Sequence, residues 1–402
     1  MKELSRMLDK AKQMQWISGF DVGRVNPVNI SRLLYADDTL IFCGADRNQV
    51  FFFKSNFVYF EAISGLHINM FKRIMYPINV VNNMEELTEI LGCGIGSFST
   101  TYQGLPLGDN FKSSSIWSGV VEEFEKKLAS WRMQYLSMGG RLTKINSVLG
   151  SIPTNSMSLF PLPGKTLEQL DQIRRNFLQE GNSTEHKFHL VEWDKVILPK
   201  YQSGLGIKDQ AKHNRCLLMK WLWRHTQEDQ SLWKEVVREK HGSQDHWSTK
   251  QAIGPHGVGI WKCLSRLWDE FSRNDQLIVG NGQHVKFWKD RWLGNTTLKG
   301  NDIAPDQFRW GHTDGWKFRV KAAYKIAMDL NVITDNWPWK LNWKVKFPPK
   351  IVCFSWTAMH EACLTQDNFA TCVTEKQKLI AICFSNARLP QTYGACSSPL
   401  LE

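Results

Sequence analysis

The chain has 402 residues, 42% of them apolar, with 50 Lys and Arg against 39 Asp and Glu for a formal charge of +11. That length fits two or three domains, and the apolar share excludes a wholly disordered chain. The basic excess favours polyanionic partners such as nucleic acid, and no apolar run approaches the roughly 18 residues of a membrane span, so no membrane association is expected.

The opening stretch, MKELSRMLDKAKQMQW, places Leu4, Met7, Leu8 and Ala11 at helical spacing among charges. It predicts an amphipathic helix and lacks the apolar core of a secretory signal. Residues 27–43 predict a hairpin, with β-formers over 30–35 and 39–43 flanking Ala36-Asp37-Asp38 at the turn. A helix is expected over about 47–63, stopped by Ser64-Gly65, and then a short extended piece over 66–75. From Ser114 the period changes. Trp117, Val120, Val121, Phe124, Leu128, Trp131 and Tyr135 predict an amphipathic helix that Gly139-Gly140 ends. A second helix carries Leu142, Ile145, Val148 and Leu149 and stops before Pro153. A third opens with Thr166-Leu167-Glu168-Gln169 as a capping box, and a fourth covers about 210–225. Residues 240–316, rich in Gly, Asn and His, read as loops with small elements.

The charge is unevenly placed. Residues 1–110 hold 10 basic and 11 acidic side chains, residues 111–330 hold 33 and 23, and residues 331–402 hold 7 and 5. The excess therefore lies in the middle, where pairs such as Trp131-Arg132, Trp223-Arg224 and Trp288-Lys289 also cluster. Bases interleaved with aromatics suit a surface that tracks a phosphate backbone and stacks on bases. The alternative is that the tryptophans anchor the core and the charges solvate helix faces.

Two adjacent carboxylates at a hairpin tip suit a divalent-metal site for phosphoryl transfer, since hard oxygen ligands hold Mg²⁺ against phosphate oxygens. An isolated Asp-Asp is more often only a turn. Here Tyr35-Ala36-Asp37-Asp38 lies within LLYADDTLIFC, which resembles the catalytic hairpin of reverse transcriptases. Ser64-Gly65-Leu66-His67-Ile68-Asn69 with Lys72, and then Tyr102-Gln103-Gly104-Leu105-Pro106-Leu107-Gly108, are similar to the next motifs of LINE-type (non-LTR) retrotransposon polymerases of the plant kind. Leu136-Ser137-Met138-Gly139-Gly140-Arg141, Trp221-Leu222-Trp223-Arg224 and Gly280-Asn281-Gly282 with Phe287-Trp288 continue the likeness. Phe318 to Tyr324, Phe347-Pro348-Pro349-Lys350 and Phe354-Ser355-Trp356 resemble the start of the reverse-transcriptase zinc-binding domain.

The resemblance implies an α+β fold: the C-terminal part of a polymerase palm over 1–110, a helical thumb over 111–250, a connector over 251–316, a truncated zinc-binding-type domain over 317–369 and a divergent, poorly ordered tail over 370–402. Asp37 and Asp38 would be the catalytic, Mg²⁺-binding carboxylates, and Lys72 would serve near the triphosphate. Tyr35, Ala36, Tyr102, Gly104 and Gly108 would bind substrate. Lys126, Lys127, Arg141, Lys144, Arg174 and Arg175 would grip the nucleic acid, an RNA template with a DNA primer or a hybrid duplex. In the family a further metal-binding aspartate stands upstream on a strand. Asp9 and Asp21 are expected to lie outside any strand that could present it, so the Mg²⁺ site reads as incomplete and the polymerase as inactive alone. The alternatives are a nucleic-acid-binding remnant or a relic reading frame with no selected role.

The nine cysteines are scattered, which argues against a disulfide framework and for a reducing, intracellular compartment. In the C-terminal part Cys363, Cys372, Cys383 and Cys396 are separated by eight, ten and twelve residues, with His360 nearby. Structural zinc sites favour C-x₂₋₄-C knuckles. None is present there, and no zinc is expected.

Overall fold

Leu4, Leu8 and Ala11 fall on one face of helix α1, Lys2–Gln13, and that face is buried while Lys10 and Lys12 occupy the last turn, where they suit the helix dipole. The structure is a computed structural model. It describes residues 2–360 except 24–25, 36–37, 70–71, 99, 103, 109–112, 133–135, 180–190, 244–246, 250–258, 280, 282–305, 312–314, 330–342 and 345–346. The chain divides into two compact units, Met1–Ile116 with Trp221–His312, and Trp117–Lys220 with Thr313–Glu402.

In the first unit, strands β1 (Phe20–Val22) and β2 (Val28–Ile30) pair antiparallel, followed by β3 (Arg32–Tyr35) and β4 (Asp38–Ile41). The expected hairpin therefore forms, with two corrections. Ile30 belongs to β2, and Asp38 is a strand residue opposite Tyr35 instead of a turn residue. Two residues suffice to link antiparallel strands, which leaves only 36 and 37 between them. Helix α2, Arg47–Ser64, starts where the Asp46 carboxylate accepts the Gln49 N–H at 3.3 Å and ends at left-handed Gly65, φ 68°. Phe53 and Phe60 of α2 pack with Leu4, Leu8, Ala11 and Ile17, and Ile41 of β4 lies against that cluster. The hairpin and both helices thus share one core.

Among its described residues the expected extended piece pairs only at β5, Ile74–Met75, which lies parallel to β6, Gly94–Ile95, across helix α3, Met84–Leu91. Strands β7 (Thr100–Tyr102) and β8 (Leu105–Leu107) make a second tight hairpin, with Tyr102 opposite Leu105.

Helix α4, Ser115–Arg132, opens the helical part and buries Trp117, Phe124, Leu128 and Trp131. Gly139 and Gly140 do not end it. They lie in the first turn of α5, Met138–Lys144, where the Ser137 hydroxyl accepts the Gly140 N–H at 3.3 Å. A Cβ at 139 would stand 2.6 Å from Pro349 Cβ, so this glycine serves close packing. A π-helical turn, Ile145–Leu149, continues α5, and α6 covers Thr154–Met157. Helix α7 spans Gly164–Gln179, with the Leu167 N–H already bonded to the Pro163 carbonyl at 2.9 Å. Thr166 therefore sits buried inside the first turn, and the expected capping box is not the helix start. After α8, Trp193–Val196, and a 3₁₀ turn at Lys200–Gln202 comes α9, Gln210–Gln227.

From Trp221 to His312 the chain belongs to the first unit. This stretch holds helices α10 (Leu232–His241), α11 (Ile260–Ser265) and α12 (Trp268–Phe271) and the antiparallel pair β9 (Asp275–Ile278) and β10 (Gln307–Trp310). Their aromatic side chains form a core: Trp221 meets Trp233 edge-on at 5.5 Å, His225 lies 5.0 Å from Trp261, and Phe271 stacks on Phe308 at 5.9 Å. Arg224 packs over Trp221 and Trp233 and pairs with Glu228 at 2.6 Å. These aromatics are core anchors, so the base-stacking reading does not hold for them. Trp288 and Lys289 lie outside the described residues. In the second unit, α13 (Val320–Asp329) and α14 (Pro349–Met359) complete the described chain.

All sheets among the described residues are two-stranded and helices predominate, a mixed α/β architecture consistent with an α+β fold. Among the described residues no helix is long and apolar enough to cross a membrane. The expectation of a poorly ordered tail falls on residues outside those described, as do Gly280, Gly282 and Phe287.

Candidate functional site

The site begins with β3 and β4. Arg32, at the base of the hairpin, donates to Asp9 at 2.7 Å and to the Ser5 hydroxyl at 2.8 Å, bracing β3 against α1. At the other end Tyr35 is 63% exposed and Asp38 faces solvent. Ala36 and Asp37 lie outside the described residues. Tyr102 closes β7, and its phenol is pushed above its ordinary pKa first by burial and then by the negative charge of Asp38 and by Tyr35. Tyr35, Asp38 and Tyr102 therefore share one electrostatic neighbourhood, although 64 residues separate Asp38 from Tyr102.

Two glycines shape the second hairpin. Gly104, with φ 74°, makes its turn, and Gly108, with φ 92°, lies where a Cβ would meet Phe98 at 2.8 Å. Lys72 is exposed beyond α2, its N–H bonded to the Asn69 carbonyl at 3.3 Å, and no described contact joins it to Asp38.

One expectation about the upstream aspartates is corrected. Asp9 lies on α1 and is paired with Arg32, but Asp21 does stand on a strand, β1. Its carboxylate accepts the Asn29 amide at 2.6 Å across the β1–β2 pair. At three residues, Phe20-Asp21-Val22 between Gly19 and Gly23, this strand is too short for apolar alternation to reveal it. The carboxylate oxygens of Asp38 are of the hard kind that Mg²⁺ takes. Among the described residues no group of three or more metal-ligating side chains is assembled.

The six basic residues of the second unit divide. Lys126 and Lys127 are exposed on α4. Lys144 is half-buried, its ammonium 5.1 Å over the Trp131 ring, and Arg175 is half-buried on α7. Arg141 donates to the Phe177 carbonyl at 3.4 Å, and burial pulls its pKa down. Arg174 is 1% exposed: it pairs with Asp171, donates to the Lys208 carbonyl at 2.8 Å and lies over Trp193. With those contacts its guanidinium has no face left for a phosphate.

Toward the C-terminus Cys353 is buried within α14, and burial pushes its thiol up, with Lys200 pulling the other way. His360 Nε2 lies 2.9 Å from the Ser203 carbonyl. Cys363, Cys372, Cys383 and Cys396 lie outside the described residues.

Comparison with known proteins places these features in a reverse-transcriptase-related chain. Residues 318–388 match the family described as zinc-binding in reverse transcriptase. Over 302 residues, 62% of this chain, the sequence is 29% identical to an Arabidopsis thaliana protein named as a ribonuclease H protein. It spans about half, 48%, of that relative's length. Over 149 residues, 37% of this chain, it is 26% identical to an uncharacterized mitochondrial protein of Arabidopsis thaliana, of which it covers 96%. The likeness to a plant LINE-type reverse-transcriptase region that runs into a zinc-binding domain stands.

The family match overturns the expectation that no zinc is involved. The expectation rested on the absence of a C-x₂₋₄-C knuckle, but a tetrahedral ion takes its ligands from whichever segments the fold brings together. The matched stretch holds Cys353, Cys363, Cys372, Cys383 and His360. Of these, Cys353 is buried within α14.

Proposed function

We propose that this chain is the C-terminal part of an RNA-directed DNA polymerase of the non-LTR retrotransposon kind, with 1–110 as palm and 111–250 as thumb. The observation that supports this reading is the shared neighbourhood of Tyr35, Asp38 and Tyr102. A polymerase needs its carboxylate hairpin beside the element that places the primer end, and here the charge of Asp38 on one hairpin acts on the Tyr102 phenol of the other. Asp37 and Asp38 are the catalytic carboxylates of the proposal, with Lys72 near the triphosphate and Tyr35, Ala36, Tyr102, Gly104 and Gly108 around the substrate. Two-metal transfer also requires carboxylates converging from other strands. The 402-residue polypeptide with Mg²⁺, an RNA template, a DNA primer and nucleotides is expected to give no extension. Extension that Asp37→Asn abolishes overturns that part of the reading.

A second reading, sequence-tolerant binding of duplex or hybrid nucleic acid, is favoured by the exposure of Lys126 and Lys127. Phosphate contacts release counterions, so log K falls with log salt at a slope of about −0.9 per phosphate neutralised. A salt titration of the full chain against an RNA–DNA hybrid is expected to show such a slope, reduced by up to about 2 when both lysines are made Ala. A slope near zero for the unaltered chain removes this reading.

A further inference from the structure

The two described helices of the stretch that matches the zinc-binding family fasten onto a single turn of the second unit. Tyr324 of α13 accepts the Asp209 backbone N–H at its phenol oxygen, at 2.9 Å. At the end of α13, Asp329 accepts a hydrogen bond from the Tyr201 hydroxyl. From α14, the Trp356 indole N–H donates to the Ser203 carbonyl at 2.5 Å, and His360 Nε2 lies 2.9 Å from the same oxygen. A carbonyl only accepts, so His360 carries its proton on Nε2 in this contact.

The turn that receives these contacts is conformationally costly. Ser203 is left-handed at φ 73°, a region that residues with a Cβ rarely adopt and that persists where the surroundings over-determine it. Gly204 follows, where a Cβ would stand 1.9 Å from the Leu198 carbonyl oxygen, and Gly206 is left-handed at φ 70°. At the far end of the turn Asp209 starts α9. Its carboxylate accepts the Lys212 N–H at 3.0 Å, and its carbonyl accepts the His213 N–H at 3.0 Å. Asp209 is thus the N-cap of α9, and a cap residue must be held outside helical geometry. Tyr324 holds that residue's own N–H.

We propose that α13 and α14 form an intramolecular clamp that sets the turn over 201–209 and thereby the first turn of α9. With the clamp seated, the left-handed Ser203 and the Asp209 cap are fixed together. With it released, the turn relaxes and the start of α9 frays. This makes the C-terminal stretch a working part of the helical unit, and it holds whether or not that unit binds nucleic acid.

Hydrogen–deuterium exchange on the full chain tests the clamp, comparing the unaltered protein with a Tyr324→Phe, Trp356→Phe double variant that keeps an aromatic ring at each position but neither polar group. Exchange over 200–215 is expected to quicken about tenfold or more while 164–178 on α7 stays unchanged, because local opening is reported by local loss of protection. Unchanged exchange over 200–215 overturns the proposal, and so does equal acceleration across both segments, which marks general destabilisation. If the double variant does not fold, Tyr324→Phe alone, which removes one oxygen atom, is read at the 209–213 amides. Faster exchange there supports the clamp and an unchanged rate overturns it.

Discussion

The negative charge of Asp38, on one hairpin of the first unit, acts on the phenol of Tyr102, on another. A nearby negative charge disfavours the phenolate, as burial does, so both raise the Tyr102 pKa. Asp38→Asn removes only the charge. A ring-carbon shift titration of the full chain is therefore expected to show Tyr102 losing its proton at lower pH in the variant. Superimposable titrations mean that the two hairpins do not share a site.

Burial, and then Lys208, bring the pKa of His213 down to about 4 from the ordinary histidine value of 6.5. The unfolded chain takes this proton near 6.5 and the folded chain only near 4. The contribution to stability is fully present above 6.5 and is lost as the pH falls toward 4, by up to about 1.4 kcal/mol per pH unit for one proton. Urea unfolding between about pH 7 and pH 4 should show this slope, and His213→Gln should flatten it. Equal slopes in both proteins rule out His213 as the source.

Alkaline pH acts on the same unit through two phenols, one of which, Tyr324, meets His213 edge-on at 5.9 Å. Burial is the main cause that pushes Tyr324 up to about 12, and Tyr201 is raised to about 12 by burial and by its hydrogen bond to Asp329. Raised phenols contribute stability that is full below pH 10 and declines as the pH rises through 12. Tyr324→Phe should be less sensitive to alkali than the unaltered protein in thermal melts across that window. A variant that loses stability with pH just as steeply contradicts this assignment.

Gly139 and Gly140 stand side by side in α5 yet should respond in opposite ways to Ala. Alanine gains about 1 kcal/mol over glycine in a helix interior. At 140 the nearest atom to a new Cβ is 3.6 Å away, so Gly140→Ala should be neutral or stabilising. At 139 the Cβ overlaps Pro349, and Gly139→Ala should cost about 1–3 kcal/mol through overpacking. Chemical denaturation of both variants decides it, since matched midpoints would show that α5 and α14 do not pack closely.

Sequence alone determined those features that are set within a few residues. The stripe of Leu4, Leu8 and Ala11, the Asp46 and Gly65 ends of α2, and the hairpin around Asp38 follow from local periodicity and cap chemistry, and each is present. The motif order also carried the family likeness, because linear spacing is what such a likeness reads. Local pattern failed where a residue's role depends on a distant neighbour. Gly139 looks like a helix stop until Pro349 is placed against it, and Thr166 looks like a cap until Pro163 starts the helix. Arg174 is a plausible phosphate ligand as a basic residue on an amphipathic helix, but Asp171, Trp193 and the Lys208 carbonyl bury it. The action of the Asp38 charge on Tyr102 and the hydrogen bond of Trp356 to Ser203 join positions 64 and 153 apart in the sequence. Burial and partnership are properties of the packed chain, so only the tertiary structure could decide them.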